Sequence, residues 1–275
     1  MKKMNCALIL YEGPISRCYL NILNTKQITV DNIYYFSKST FFPKSISLRN
    51  NFFKFNHYPI EFLKDKTLKP VFDDILKFFK YDEHFFHEMY KFSNHEKYSD
   101  NNFYFKTENI NNPKVIEAVS NSSSHTFINT GKKIYKEILN SNKKFIHIHP
   151  ALLPNIRGAD ASLWSVLLDN KLGVSSFIMN KKIDTGRLIN RGVYDSIELD
   201  KFLLKKFDNI TKYRFWFSFI DPLIRGLEFC NIIDMLIKNT DVVFTNDKFE
   251  NKSNYYSFMN DENKEKVFNK IFTKN

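Results

Sequence analysis

The sequence predicts an α/β fold in which a mostly parallel sheet is flanked by helices. Three observations carry this. "CALILY", residues 6–11, is an unbroken apolar run, the pattern of a strand buried on both faces. A turn, a helical stretch and a second strand-like run follow it in β–α–β order, which argues for a parallel sheet. From residue 109 to residue 150, helical and strand patterns alternate again with short links. The chain has 275 residues, 43% of them hydrophobic, enough for one large domain, or one domain and an appendage, with a sizeable core.

The elements follow in order. After "CALILY" comes "EGPISRCYLNILN", with Gly13 in the turn and Ile15, Tyr19, Ile22 and Leu23 at helical spacing. "NIYYFS" (32–37) is the second strand. The glycine pattern is not G-x-G-x-x-G, so no dinucleotide fingerprint is present. Residues 40–105 read as a helical insertion. Within it, "FDDILKFFKYDEHFFHEMYKF" (72–92) has a helical period with aromatics on one side. His84 and His87 stand at i and i+3 there. Without a third ligand nearby, they read as part of a mixed surface-and-core helix rather than a metal site.

"PKVIEAVSN" opens on Pro113, a residue suited to the first turn of a helix. "HTFINTG" is a short strand ending on Gly131, "KKIYKEILNS" (132–141) a helix, and "KKFIHIHP" the next strand. Asp160 is placed to cap a helix "ASLWSVLLDN". "GVSSFIMN" (173–180) is a strand, "KKIDTG" (181–186) a loop and "RLINRGVYDS" a further strand. From Glu198 onward the pattern is helical and aromatic, ending in a strand-like piece and a last helix. The division is a domain over 1–197, carrying the 40–105 insertion, and a helical C-terminal extension over 198–275. The aromatic stretch 213–229 suits either its own core or a second copy of the chain in a homodimer.

The formal charge is +11, but only seven of the 41 basic residues are Arg, and no basic run exceeds two residues. This is a generally basic surface that favours anionic small molecules; a nucleic-acid partner is not expected. Cys6, Cys18 and Cys230 have no CxxC spacing and read as free thiols in a reducing compartment. The apolar run near the N-terminus is too short for a secretory core. The most apolar later stretch is broken by Asp221, Arg225, Glu228 and Asp234, so no membrane span is expected. The expected location is cytoplasmic.

The chemistry concentrates in "FIHIHPALLPNIRG" and "IDTG". Alternate residues of a strand share a face, so His147 and His149 stand side by side near the carboxyl end of a strand, where ligands of open α/β sheets bind. Asp184 lies 35 residues beyond His149, a span that can return a carboxylate to the pair. Two readings compete on these residues alone. The three side chains could ligate a metal. Alternatively, His149 is a general acid/base, Asp184 orients it, and His147 donates a hydrogen bond to a developing oxyanion.

The surrounding residues, "HIHPALLPNIRGADASLWSVLLDNKLGVSSFIMNKKIDTGRLI", resemble the signature of the folate-dependent formyltransferases. The resemblance rests on His149, Pro150, Leu152, Leu153, Pro154, Arg157, Gly158, Trp164, Gly173, Val174, Asp184 and Gly186 in order. It covers residues 109–195 well and the first 36 residues in outline. It implies that family's Rossmann-like fold, a catalytic domain over 1–197, and a formyl group taken from N10-formyltetrahydrofolate as co-substrate. The implied acceptor is a primary amine on a small molecule; the basic charge favours an anionic one such as an amino-sugar nucleotide. It implies catalytic roles for His149 and Asp184, no metal, and a folate site near Gly131, Lys133, Ile134, Leu153, Pro154 and Ile183. The family's motif asparagine is replaced by His147 and its motif serine by Ala151. The first change makes a binding protein with impaired catalysis the alternative, beside the metal-dependent reading.

Overall fold

Odd and even positions of the first strand feed two different cores. In the computed structural model, which describes residues 2–37, 57–89, 94–131, 135–238 and 254–274, β1 (Lys2–Tyr11) sends Met4, Cys6, Leu8 and Leu10 to one face and Ala7 and Ile9 to the other. That is the period of two of an extended chain with apolar cover on both sides. The unbroken run "CALILY" is the consequence.

α1 (Pro14–Lys26) begins with proline in its first turn and ends where Gln27 turns left-handed. Then come β2 (Ile28–Phe36), α2 (His57–Lys64), α3 (Lys69–Phe79), α4 (Glu83–Met89) and β3 (Asn101–Phe105). The helix expected over 72–92 is two helices. Lys80 is left-handed and the carboxylate of Asp82 accepts from the Phe85 N–H at 2.7 Å, so the chain stops and restarts there. His84 and His87 lie on α4, with His87 Nε2 3.6 Å from Glu83. The 40–105 segment is also not purely helical, because its end forms β3 at the edge of the main sheet.

α5 (Pro113–Ser120) is capped by Asn112, whose side chain accepts from the Lys114 N–H. β4 (Thr126–Asn129) and β5 (Lys144–His149) follow. Of the helix expected over 132–141, residues 132–134 lie outside the described residues and Glu137–Asn140 form a single 3-10 turn. Next are β6 (Ile156–Gly158), α6 (Ala161–Asp169), β7 (Lys171–Ile178), β8 (Arg187–Asp195), α7 (Phe202–Lys206), α8 (Asn209–Ile237), β9 (Asn254–Tyr256) and α9 (Asp261–Ile271). Asp160 does occupy the N-cap position of α6, but its side chain does not cap. It accepts instead from the Tyr213 hydroxyl at 2.6 Å and the Met259 N–H at 2.9 Å, tying α6 to the C-terminal segments.

Seven of the nine described strands make one sheet in the order β3-β2-β1-β4-β5-β7-β8, and β6 pairs with β9 in a second. The first five are mutually parallel and β7 is antiparallel to both its neighbours. The order reverses between β1 and β4, the kind of switch point at which open sheets bind ligands. Helices cover both faces. On one, α8 packs along α1, with Tyr19 stacked on Phe229 at 4.1 Å. Buried Glu228 of α8 accepts hydrogen bonds from Ser176 and Asn190 of β7 and β8 and from Asn231. The larger core joins residues from 1–197 and 198–275. Phe215, Trp216, Phe219 and Phe229 are buried in it, so these four aromatics of the stretch 213–229 pack into the chain's own core, while Tyr213 and Phe217 are partly buried at its edge. Among the described residues, no helix is long and apolar enough to cross a membrane.

Candidate active site

The parity that splits β1 also splits β5. Ile146 and Ile148 enter the larger core, and Phe145 enters the smaller one. His147 and His149 share the Phe145 face, and both line a cavity of about 310 Å³ beside the carboxyl ends of β4 and β5. Register places His147 between Asn129 of β4 and Phe177 of β7, and His149 opposite Ser175. Phe177 meets the His147 ring edge-on at 5.8 Å between centroids.

His149 is buried, and its Nε2–H donates to the main-chain carbonyl of Ile156 at 2.9 Å. A carbonyl can only accept, so the neutral ring keeps its lone pair on Nδ1. That atom lies 3.8 Å from Asp184 Oδ2, close enough for the charges to act on each other but outside hydrogen-bond reach. The main chain of β6, rather than Asp184, therefore holds the ring. Asp184 is itself held by the Gly158 N–H, which donates to Oδ2 at 2.9 Å. It adopts a left-handed conformation with φ 50°, one that aspartate tolerates better than most residues. Two residues later a side chain at Gly186 would strike the Ile178 carbonyl. Glycine there lets the loop fold back onto β7.

Burial is the largest influence on both imidazoles and pushes their pKa values down; the nearby Arg225 guanidinium pushes the same way and the Asp184 carboxylate opposes them. Arg225 is fixed by Asp221 at 2.8 Å and by the Ile148 carbonyl. Asp221 in turn accepts from Ser162, which accepts from Trp216. Both histidines are thus kept neutral at neutral pH.

The cavity takes in most of the expected positions. His147, His149, Asp184, Gly131 and Ile183 line it. Lys133 and Ile134 lie outside the described residues. Leu153 and Pro154 do not line it. Leu153 is buried with Phe177 and Leu188 behind the wall, where its N–H donates to Ser175 Oγ at 2.9 Å. Among the described residues, no group of three or more His, Cys, Asp or Glu is placed to hold a metal ion. The sequence reading missed Asn129, Tyr135 and Arg225. It also missed Tyr255 and Phe258, which reach the cavity because β9 pairs with β6 in a second, two-stranded sheet. A polar residue closing the apolar run "TFIN" was the available signal for Asn129; the three-residue β9 carries none.

A family model described as "Formyl transferase" matches residues 93–200. Methionyl-tRNA formyltransferase of Buchnera aphidicola subsp. Acyrthosiphon pisum is 37% identical over 92 residues, 31% of this chain. That of Buchnera aphidicola subsp. Schizaphis graminum is 36% identical over 90 residues. The chain spans 29% of the length of each of these relatives. A sugar N-formyltransferase from a Shewanella species is similar in fold, with a TM-score of 0.50 and 14% identity, over 100% of this chain and 89% of that one. Motif order and family match coincide: residues 93–200, which build most of the cavity wall, are the part of the chain that matches the formyl transferase family.

Proposed function

We propose that the cavity transfers a formyl group from N10-formyltetrahydrofolate to the primary amine of a small anionic acceptor, an amino-sugar nucleotide. The observation that carries this reading is the triad of His147, His149 and Asp184 around one cavity, with Nδ1 of His149 unprotonated and facing a carboxylate.

The residues present fit a folate. Tyr135 lines the cavity, and among the described residues its buried hydroxyl has no hydrogen-bond partner, so a polar ligand edge would satisfy it. Phe177, Met179 and Ile183 offer apolar surface for a flat ring beside it. When bound, the folate supplies an activated formyl carbon. Nδ1 of His149 takes a proton from the attacking amine and returns it to the departing folate nitrogen. The Asp184 charge stabilises the imidazolium between those two events. His147 donates to the negative charge that develops on the formyl oxygen, a contribution of roughly 3–4 kcal/mol for one well-placed donor. Lys181 and Lys182, exposed at the cavity rim, suit a phosphate-bearing acceptor.

The test is to incubate the protein with N10-formyltetrahydrofolate and a panel of amino-sugar nucleotides, glycinamide ribonucleotide and methionyl-tRNA, following tetrahydrofolate release. Turnover with an amino-sugar nucleotide is expected. Folate that binds but never turns over across the panel overturns the reading in favour of a binding protein. Turnover confined to methionyl-tRNA overturns the acceptor class alone.

A further inference from the structure

Asn129 ends β4, is 1% exposed, and is the register partner of His147 on β5. Its amide is oriented by the main chain. The Gly131 N–H donates to Oδ1 at 2.7 Å, and Nδ2 donates to the Gly131 carbonyl at 3.1 Å. A main-chain N–H only donates and a carbonyl only accepts, so the amide oxygen and nitrogen are not interchangeable here. The second Nδ2 hydrogen faces Nδ1 of His147 at 3.3 Å. Nδ2 also lies 3.8 Å from Met179 Sδ, but a thioether sulfur is a far weaker acceptor than a carbonyl oxygen or an imidazole nitrogen, so the two hydrogens go to Gly131 and His147.

A donor aimed at Nδ1 requires a lone pair there, so the neutral His147 ring carries its proton on Nε2. Among the described residues Nε2 has no hydrogen-bond partner, and the ring lines the cavity. We propose that Asn129 is a positioning residue that sets the tautomer of His147 and leaves Nε2–H free to donate to the formyl oxygen. The amide that the family resemblance expects at position 147 is then present one strand away, acting through the imidazole that replaced it. This inference rests on the formyl-transfer reading for its chemistry, but not for the tautomer. The rival arrangement puts the proton on Nδ1; the main-chain carbonyl of Asn129 also acts on this ring and favours its protonated form.

Nitrogen-15 NMR of protein labelled in histidine distinguishes the two, with His147→Asn assigning the signals. A protonated Nε2 and a bare Nδ1 at His147 are expected; a proton on Nδ1 overturns the proposal. Asn129→Asp replaces the donor by an acceptor and should move the proton to Nδ1. It should lower kcat by about 10²-fold, the scale of one lost oxyanion donor, with KM for the folate changed by about twofold or less. In a His147→Asn background the same substitution should cost only about threefold, because the residue it acts through is gone. An equal loss in both backgrounds would show that Asn129 serves only to hold Gly131, and would also overturn the proposal. Should Asn129→Asp fail to fold, the tautomer of the unaltered protein still decides. If no amine turns over, the formyl-transfer reading fails, while the NMR result judges the Asn129 assignment separately.

Discussion

His147 and Asp184 stand in the same cavity but should respond to substitution in opposite ways. His147→Asn restores the residue the family resemblance expects, with an amide that can donate to the same oxygen. Formyl-transfer activity should be kept or raised, read as kcat/KM with the preferred acceptor. Asp184→Asn keeps the left-handed backbone that asparagine also tolerates but removes the charge facing His149 Nδ1 at 3.8 Å. It should lower kcat by about 10²-fold or more. If His147→Asn abolishes activity while Asp184→Asn spares it, the imidazole at 147 has an acid/base role of its own. At this scale the sequence was readable for single residues and not for pairs. His147, His149 and Asp184 were visible because strand periodicity and motif order involve one segment at a time. Asn129 was not, because its meaning lies in the register between two strands 18 residues apart in the chain.

Among the elements, the pairing of β6 with β9 controls the cavity's far wall. Gly158 has φ 97°, and a side chain there would lie 2.2 Å from the Tyr256 carbonyl. The left-handed conformation alone costs a non-glycine residue about 1–3 kcal/mol, and the clash would add to it. Gly158→Ala should therefore release β9. The Ala159 amide, which donates to the Tyr256 carbonyl at 2.9 Å, should exchange with solvent much faster, and Tm should fall. Unchanged protection at Ala159 would mean that β9 is held by other contacts, such as the Trp164 indole N–H on the Ser257 carbonyl. Elements with a long period were legible: β1, α1, α5, β5, β7 and β8 all fall close to where their patterns place them. The misreadings are local. A left-handed Lys80 ends α3 in mid-pattern, and the helical spacing of "KEILN" yields one 3-10 turn because the chain must enter β5 at once.

For the whole molecule, burial of neutral histidines makes stability depend on pH with a definite sign. His147 and His149 have folded-state pKa values below the ordinary 6.5, against which Asp184 pulls up and Arg225 pushes down. Below about pH 6.5 the unfolded chain takes up protons that the folded chain refuses, so stability falls with pH until the depressed values are reached. Tm measured from about pH 7 down to pH 5 should fall less steeply in the His147→Asn, His149→Asn double variant than in the unaltered protein. Equal slopes would show that carboxylates alone set the acid limit. Fold class was legible at this scale because apolar runs and β–α–β order are properties of composition along the chain. The antiparallel β7 was not, since nothing in an eight-residue apolar strand records its direction.

The odd and even places of β5 hold two separate messages, one addressed to the core and one to the cavity. Deleting a single residue before it would exchange them, sending imidazoles into the larger core and isoleucines to the cavity. The strand therefore works as a reading frame, whose chemistry does not survive a shift by one.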